Sequence, residues 1–357
     1  MNYRECLVNV APYVPGKNEE EIKKEYGLDK VVKIASNENP YGPTPNIKEY
    51  LNGINFSVYP DNYMSNLRSK LSNKLNVNEE KLLFGNGSVE IIQMISRAFL
   101  DKGDNIVTQL PSFSSYFSEA KIQDAEIRTI KYNENYSFNL NEILDLIDEK
   151  TKIVYITNPN NPLGTVVTKD EVYDFVSKVP NNVLVVIDEA YFEFVRNENY
   201  VSGIELMNEF RNVCVLRTFS KAYALAALRI GYIVAAEEII TNLEKVRVPF
   251  NASTIAQKCA CIALDDETYM KDSVGLIHKT IDYIYERLDK LNIEYIKTQA
   301  NFIMINVNGA SKEAVLKLMK KGFIVRDGFP LMDNWIRVSI GTLQDMEEFL
   351  KVFSEVV

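Results

Sequence analysis

Histidine is almost missing from this sequence: His278 is the only one among 357 residues. A Ser-His-Asp relay, or a metal site built on several imidazoles, is thereby excluded as the working centre. Proton transfer must fall to lysine, tyrosine or carboxylate. Cysteine is also sparse, at four residues, with Cys6 and Cys214 isolated. Cys259 and Cys261 lie two apart in a helix-like stretch, where side chains diverge. No disulfide framework or metal site is expected, and a reducing cytoplasm is the expected location. Long apolar runs are lacking as well. VLVVI at 183–187 falls far short of a membrane span, and the opening MNYRECLVNVAPYVPG has no signal-peptide core. Positive charge is in deficit, with 40 basic against 49 acidic residues and a net charge of −9. No dense basic run offsets it, so neither nucleic acid nor a membrane is an expected partner.

What remains is an ordinary globular composition, 46% apolar and 25% charged, in a chain long enough for two domains and a large core. The first 45 residues carry APYVPG and SNENPYGPTP (36–45) and read as an irregular arm. Leucines at 67, 71 and 75 then mark a helix. Short apolar runs follow at 81–85, 105–110, 126–132, 152–157, 183–188, 213–218 and 229–235. Helix-like stretches such as 89–100 and 169–179 lie between them. That alternation predicts an α/β fold, a mostly parallel sheet sandwiched by helices. Beyond about 245 the pattern becomes a long helical region (255–290), four strand-like runs and a helix at 311–321, a smaller α+β C-terminal domain. The expected division is an arm at 1–45, a large domain at 46–248 and a small domain at 249–357.

Four polar segments fall just after expected strands, where ligands gather in such folds. GNGSVE (85–90) opens a helix; NPNNPLG (158–164), DEAY (188–191) and SKAYALAALRIG (220–231) each end an apolar run. Taken singly, each has a plain structural reading. GNGS can be a turn with Ser88 as a helix N-cap, or an anion site made by the amides of Gly87, Ser88 and Val89. Asp188 can be a turn former, and Lys221 is one of 40 basic residues.

Together, in this order and spacing, they resemble the signature of the fold-type I pyridoxal-phosphate enzymes. The resemblance rests on Asn161-Pro162-Leu163-Gly164, on Asp188 with Tyr191, and on Ser220, Lys221, Arg229 and Gly231. It implies that Lys221 holds pyridoxal 5′-phosphate as a Schiff base and then moves the substrate proton. It implies that Asp188 pairs with the ring nitrogen and that Asn161 and Tyr191 bond the ring 3-oxygen. Ser220, Arg229 and the amides at 87–89 would hold the phosphate. Tyr116, in PSFSSYF, would stack on the ring face.

Within that group the chain is most similar to the histidinol-phosphate aminotransferase family. The similarity runs through residues 11–45, VYPD (58–61), SKAYALAALR and the arginines of IVRDG and IRVSIGT. It implies a homodimer with shared active sites, Tyr59 reaching the partner's cofactor phosphate. Tyr13, Asn161, Arg326 and Arg337 would face a small-molecule amino donor or a 2-oxo acid acceptor. Leu163 and Ala227 stand where the family usually has threonine and glycine. Transamination of aromatic amino acids, or a threonine-phosphate decarboxylase-like lyase reaction, are the alternatives on the same fold. A DNA-binding regulator is not expected, because the first 45 residues leave no room for its DNA-binding domain.

Overall fold

The computed structural model describes residues 1–12, 16–50 and 54–357, apart from the side chain of Glu49. The first strand, β1 (Val32–Lys33), stands outside the central sheet. That sheet is built from β2 (Leu82–Gly85), β3 (Asn105–Leu110), β4 (Glu126–Lys131), β5 (Thr151–Thr157), β6 (Leu184–Asp188), β7 (Val213–Thr218) and β8 (Gly231–Val234). Their spatial order is β2-β8-β7-β6-β5-β3-β4. Strands β3 to β7 run parallel, and β8 runs antiparallel to both its neighbours. Both faces are covered: Val154, Ile156, Val185 and Ile187 enter one core layer, while Ile153, Tyr155, Leu184 and Val186 enter the other. That two-residue alternation is the pleat of the strands. Burial on both faces explains the near-continuous apolar runs.

The C-terminal unit holds β9 (Tyr295–Ile296), β10 (Phe302–Asn306), β11 (Phe323–Ile324) and β12 (Trp335–Ser339). Strands β12, β10 and β9 form an antiparallel sheet, and β11 pairs with β1 in parallel. The helices Glu267–Lys290, Ser311–Lys320 and Leu343–Val356 bury an apolar side in one core with this sheet. No helix among the described residues is long and apolar enough to cross a membrane.

Two local expectations need correction. The stretch expected as one helical region is two helices, Thr254–Asp265 and Glu267–Lys290. Asp266 leaves helical geometry at ψ 60° and caps the second helix by accepting the Tyr269 N–H at 3.2 Å. The first 45 residues are not simply irregular either. Helix Glu19–Tyr26 begins with a reciprocal capping box between Asn18 and Glu21 and ends at Gly27 in left-handed geometry. It buries Ile22 against Val31 and Ile324. The N-terminal segment thus supplies a strand and a helix to the C-terminal unit.

The loop after β5 is pinned to that unit at Gly164. Its carbonyl accepts the Gln299 N–H at 2.7 Å. With φ at +78°, an added Cβ would lie 2.2 Å from the Thr298 hydroxyl oxygen. Gly164→Ala should therefore destabilise the protein by roughly 2–4 kcal/mol, from left-handed strain and overpacking together. Denaturant unfolding would measure this, and an unchanged midpoint would contradict the close approach.

Candidate active site

The sheet register brings the expected residues to one edge. Thr157 pairs with Asp188, and Asp188 with Leu216, so β5, β6 and β7 end side by side. Because β8 is reversed, its first residue, Gly231, meets both Thr218 and Gly85 at that same edge. The segments after β2, β5, β6 and β7 and the approach to β8 therefore converge.

Asp188 closes β6 with its carboxylate buried. One oxygen accepts the Ala190 N–H at 3.1 Å, and the other accepts the Tyr116 hydroxyl at 2.5 Å. Burial pushes its pKa up to about 6, against the lowering effect of those two hydrogen bonds. A desolvated carboxylate of this kind is stabilised by a cation brought against it.

Arg337 on β12 donates to the Asn161 side-chain oxygen at 2.6 Å and to the Ala35 carbonyl at 2.8 Å. The Asn161 amide nitrogen then faces the Tyr191 hydroxyl at 3.4 Å. Lys221 donates to the Ser36 carbonyl at 3.0 Å, and its Nζ lies 5.8 Å from the centre of the Tyr191 ring. Burial lowers the Lys221 pKa to about 7, the charges of Arg337 and Arg229 push the same way, and Glu38 opposes. A lysine in that state is largely a neutral nucleophile near physiological pH.

A third group forms an anion cradle. Helix Ser88–Phe99 starts after Gly87, and the amides of a first turn have no intrahelical acceptors. Arg229, at φ 55°, donates to the Ser220 hydroxyl at 3.4 Å and to the Ala226 carbonyl at 3.0 Å. A Cβ on Gly87, at φ +77°, would stand 2.4 Å from the Arg229 guanidinium. Only glycine lets the guanidinium lie this close to the helix start. Helix amides, a hydroxyl and a guanidinium in one place suit a phosphate group.

The other expected residues lie as follows. Tyr116 is 0% exposed and its ring stacks on Tyr155 at 4.2 Å. It offers no open face to a cofactor ring; its hydroxyl serves Asp188 instead. Phe113, partly exposed and edge-on to Tyr116 at 5.7 Å, is the aromatic with surface to offer. The Gly87 N–H is donated to the Gly85 carbonyl at 2.8 Å, which leaves Ser88 and Val89 as the amides for an anion. Ser88 is the first helical residue, and Gly87 is the cap. Tyr59 is 80% exposed and stacks on Phe250 at 4.8 Å. Arg326 pairs with Arg337 through both backbone N–H groups, at 3.1 and 2.7 Å, and is partly buried. Tyr13 lies outside the described residues. Leu163 is fully buried in the core, and Ala227 is exposed.

Sequence reasoning missed Phe113 and Asn37. Phe113 sits in the same PSFSSYF segment as Tyr116, and motif spacing alone could not say which ring turns inward. Asn37 lay in the supposed arm; asparagine's tolerance of left-handed geometry was the one local signal.

The state of Lys221 can be measured directly. Imine formation with an aldehyde requires neutral amine, so labelling by pyridoxal phosphate and borohydride should concentrate on Lys221. Its rate should rise as pH climbs through about 7 and level off near pH ~8, where ordinary lysines of pKa ~10.4 remain charged. Label spread evenly over surface lysines would refute the lowered pKa.

Comparison with known proteins gives the family and the fold. The family described as aminotransferase class I and II matches residues 29–353. Histidinol-phosphate aminotransferase 1 of Bacillus cereus is 43% identical over 100% of this chain and 97% of its own length. Histidinol-phosphate aminotransferase of Bacillus subtilis is 43% identical, with all of both chains covered. The same fold is seen in histidinol-phosphate aminotransferase from Sinorhizobium meliloti, solved in complex with pyridoxal-5′-phosphate. That structure matches with a TM-score of 0.90 at 24% identity, over 100% of this chain and 98% of that one. Lys221, Asp188, Asn161 and Tyr191 gather at the sheet edge of a chain that belongs to the class I and II aminotransferase family.

Proposed function

We propose that this protein is a pyridoxal-phosphate-dependent histidinol-phosphate aminotransferase of the cytoplasm. The observation that carries the proposal is the set of groups at one sheet edge. A lysine of lowered pKa, a buried carboxylate, a hydrogen-bonding Asn–Tyr pair and an anion cradle match the aldehyde, ring nitrogen, 3-oxygen and phosphate of one cofactor. Full-length identity of 43% to the Bacillus enzymes supports the choice of substrate.

When bound, the cofactor supplies a carbonyl for the amino group and a ring that accepts the electron pair left by the departing Cα proton. The chain's own residues do the rest. Lys221 Nζ would hold the cofactor and, once free, would take the proton from substrate Cα. Asp188 keeps the ring nitrogen protonated; the cost of its burial falls when it faces that cation. Asn161 and Tyr191 bond the ring 3-oxygen, while Ser220, Arg229 and the amides of Ser88 and Val89 hold the phosphate. Phe113 covers a ring face. Glutamate gives up its amino group and leaves as 2-oxoglutarate; imidazole-acetol phosphate takes the group and leaves as histidinol phosphate. Arg337 and Arg326 serve both halves, because a guanidinium binds carboxylate and phosphate alike.

The deciding assay offers histidinol phosphate, phenylalanine and aspartate as donors to 2-oxoglutarate. Histidinol phosphate should be strongly preferred. Arg326→Ala should cost about 2–5 kcal/mol of transition-state binding for histidinol phosphate and much less for phenylalanine. Equal, small losses for both donors would favour general aromatic transamination instead.

The proposal includes a homodimer with shared active sites. Phe56, Val58, Tyr59, Tyr63, Val248 and Phe250 are all exposed, and two of them stack on each other. Apolar residues grouped in this way suit a permanent interface with a second copy. Tyr59 would enter the partner's site and reach its phosphate. Mixing inactive Lys221→Ala and Tyr59→Ala chains should therefore restore activity in hybrid dimers. Hybrids that form and stay inactive would refute the sharing.

A further inference from the structure

We propose that Asn37 is a positioning residue which, together with Asn161, fills both acceptor positions of the Tyr191 hydroxyl and so aims its proton at the cofactor 3-oxygen. The inference rests on the pyridoxal-phosphate reading and adds a residue that the family resemblance did not assign.

A phenol oxygen has one hydrogen to donate and two lone pairs to accept with. At Tyr191 two side-chain amides approach that oxygen: Asn37 Nδ2 at 2.9 Å and Asn161 Nδ2 at 3.4 Å. Each amide's orientation follows from its other end. Guanidinium can only donate, so the Asn161 atom 2.6 Å from Arg337 is the oxygen and its NH2 must face Tyr191. Asn37 is fixed by the buried Ser339 hydroxyl. That oxygen accepts the Asn37 backbone N–H at 2.7 Å, and its hydrogen is donated to Asn37 Oδ1 at 2.9 Å. Turning the Asn37 amide over would leave the Ser339 hydrogen without an acceptor in a buried place, which is costly. With both lone pairs of Tyr191 occupied, its own hydrogen has one useful direction, into the space that the ring oxygen would fill.

The residue is built in firmly. Asn37 is buried, at φ 56°, a conformation that asparagine tolerates better than most residues. Its carbonyl accepts the Asn301 side-chain N–H at 3.0 Å. Ser339 lies on β12, two residues beyond Arg337, so one amide ties the phenol that follows β6 to the strand carrying the substrate arginine.

A hydroxyl that donates to the 3-oxygen stabilises the oxyanion form of the bound cofactor and lowers the pH at which its absorbance titrates. Asn37→Gly keeps the left-handed backbone and removes only the amide. Its titration midpoint should rise by about half to one pH unit, the worth of one hydrogen bond. In a Tyr191→Phe background the same change should have no effect. Arg337, Asp188 and Lys221, the ionisable side chains around Tyr191, are unaltered in every variant. Asn37→Asp, nearly the same shape, serves where the glycine variant does not fold. Its carboxylate would accept the Tyr191 O–H hydrogen bond and draw it away from the 3-oxygen, and the midpoint should rise further. An unchanged midpoint in a folded, cofactor-loaded variant would overturn the positioning role, as would an equal shift with and without the Tyr191 hydroxyl. A parent protein that takes up no cofactor would instead overturn the proposed function, and this inference with it.

Discussion

The register at the carboxyl edge of the central sheet is the constraint on which the site depends. Asp188 meets Thr157 on one side and Leu216 on the other, while Gly231 meets both Thr218 and Gly85. A slip of one residue in any of these strands would turn its side chains to the opposite face. Asp188 would then enter the layer where Glu189 pairs with Arg217 at 2.8 Å. The reversed strand β8 matters as much as the parallel ones. Running against its neighbours, it begins at that edge, so Arg229, two residues before it, stays beside Ser220 and the start of helix Ser88–Phe99.

Electrostatics then sets the chemical state of each group. Lys221, Arg229 and Arg337 share a partly desolvated region, and their mutual repulsion helps to hold the lysine near neutrality. Asp188 pays for burial with a raised pKa, moderated by Tyr116. Both are unfavourable for the protein alone, and the proposed ligand, with a phosphate dianion and a ring cation, would relieve both. Strain placed where a ligand later removes it is a common feature of working sites.

Much of the site was legible because its residues follow buried strands. Strand ends can be read from apolar runs, and Asn161, Asp188, Ser220 and Lys221 each stand just past one. Tyr116 and Phe113 were not separable, since both belong to one helix start and only packing against Tyr155 shows which ring is spent on the core. Asn37 was hidden for another reason. It lies in a segment without periodic apolar residues, and its partners, Tyr191, Ser339 and Asn301, are 154 to 302 residues away. Backbone partners such as the Ser36 carbonyl leave no mark in side-chain identity at all.

Local chemistry in the sequence determined the strand and helix types, the exclusion of imidazole catalysis, and the lysine, carboxylate and arginine available for the work. Those properties depend on residue type and short-range spacing, which a linear reading captures. Tertiary structure alone decided that the N-terminal segment completes the C-terminal unit, that Tyr116 supports Asp188, and that Arg337 orients Asn161. Each of these depends on contacts between distant segments, whose geometry follows from sheet register and core packing and from no single stretch of chain.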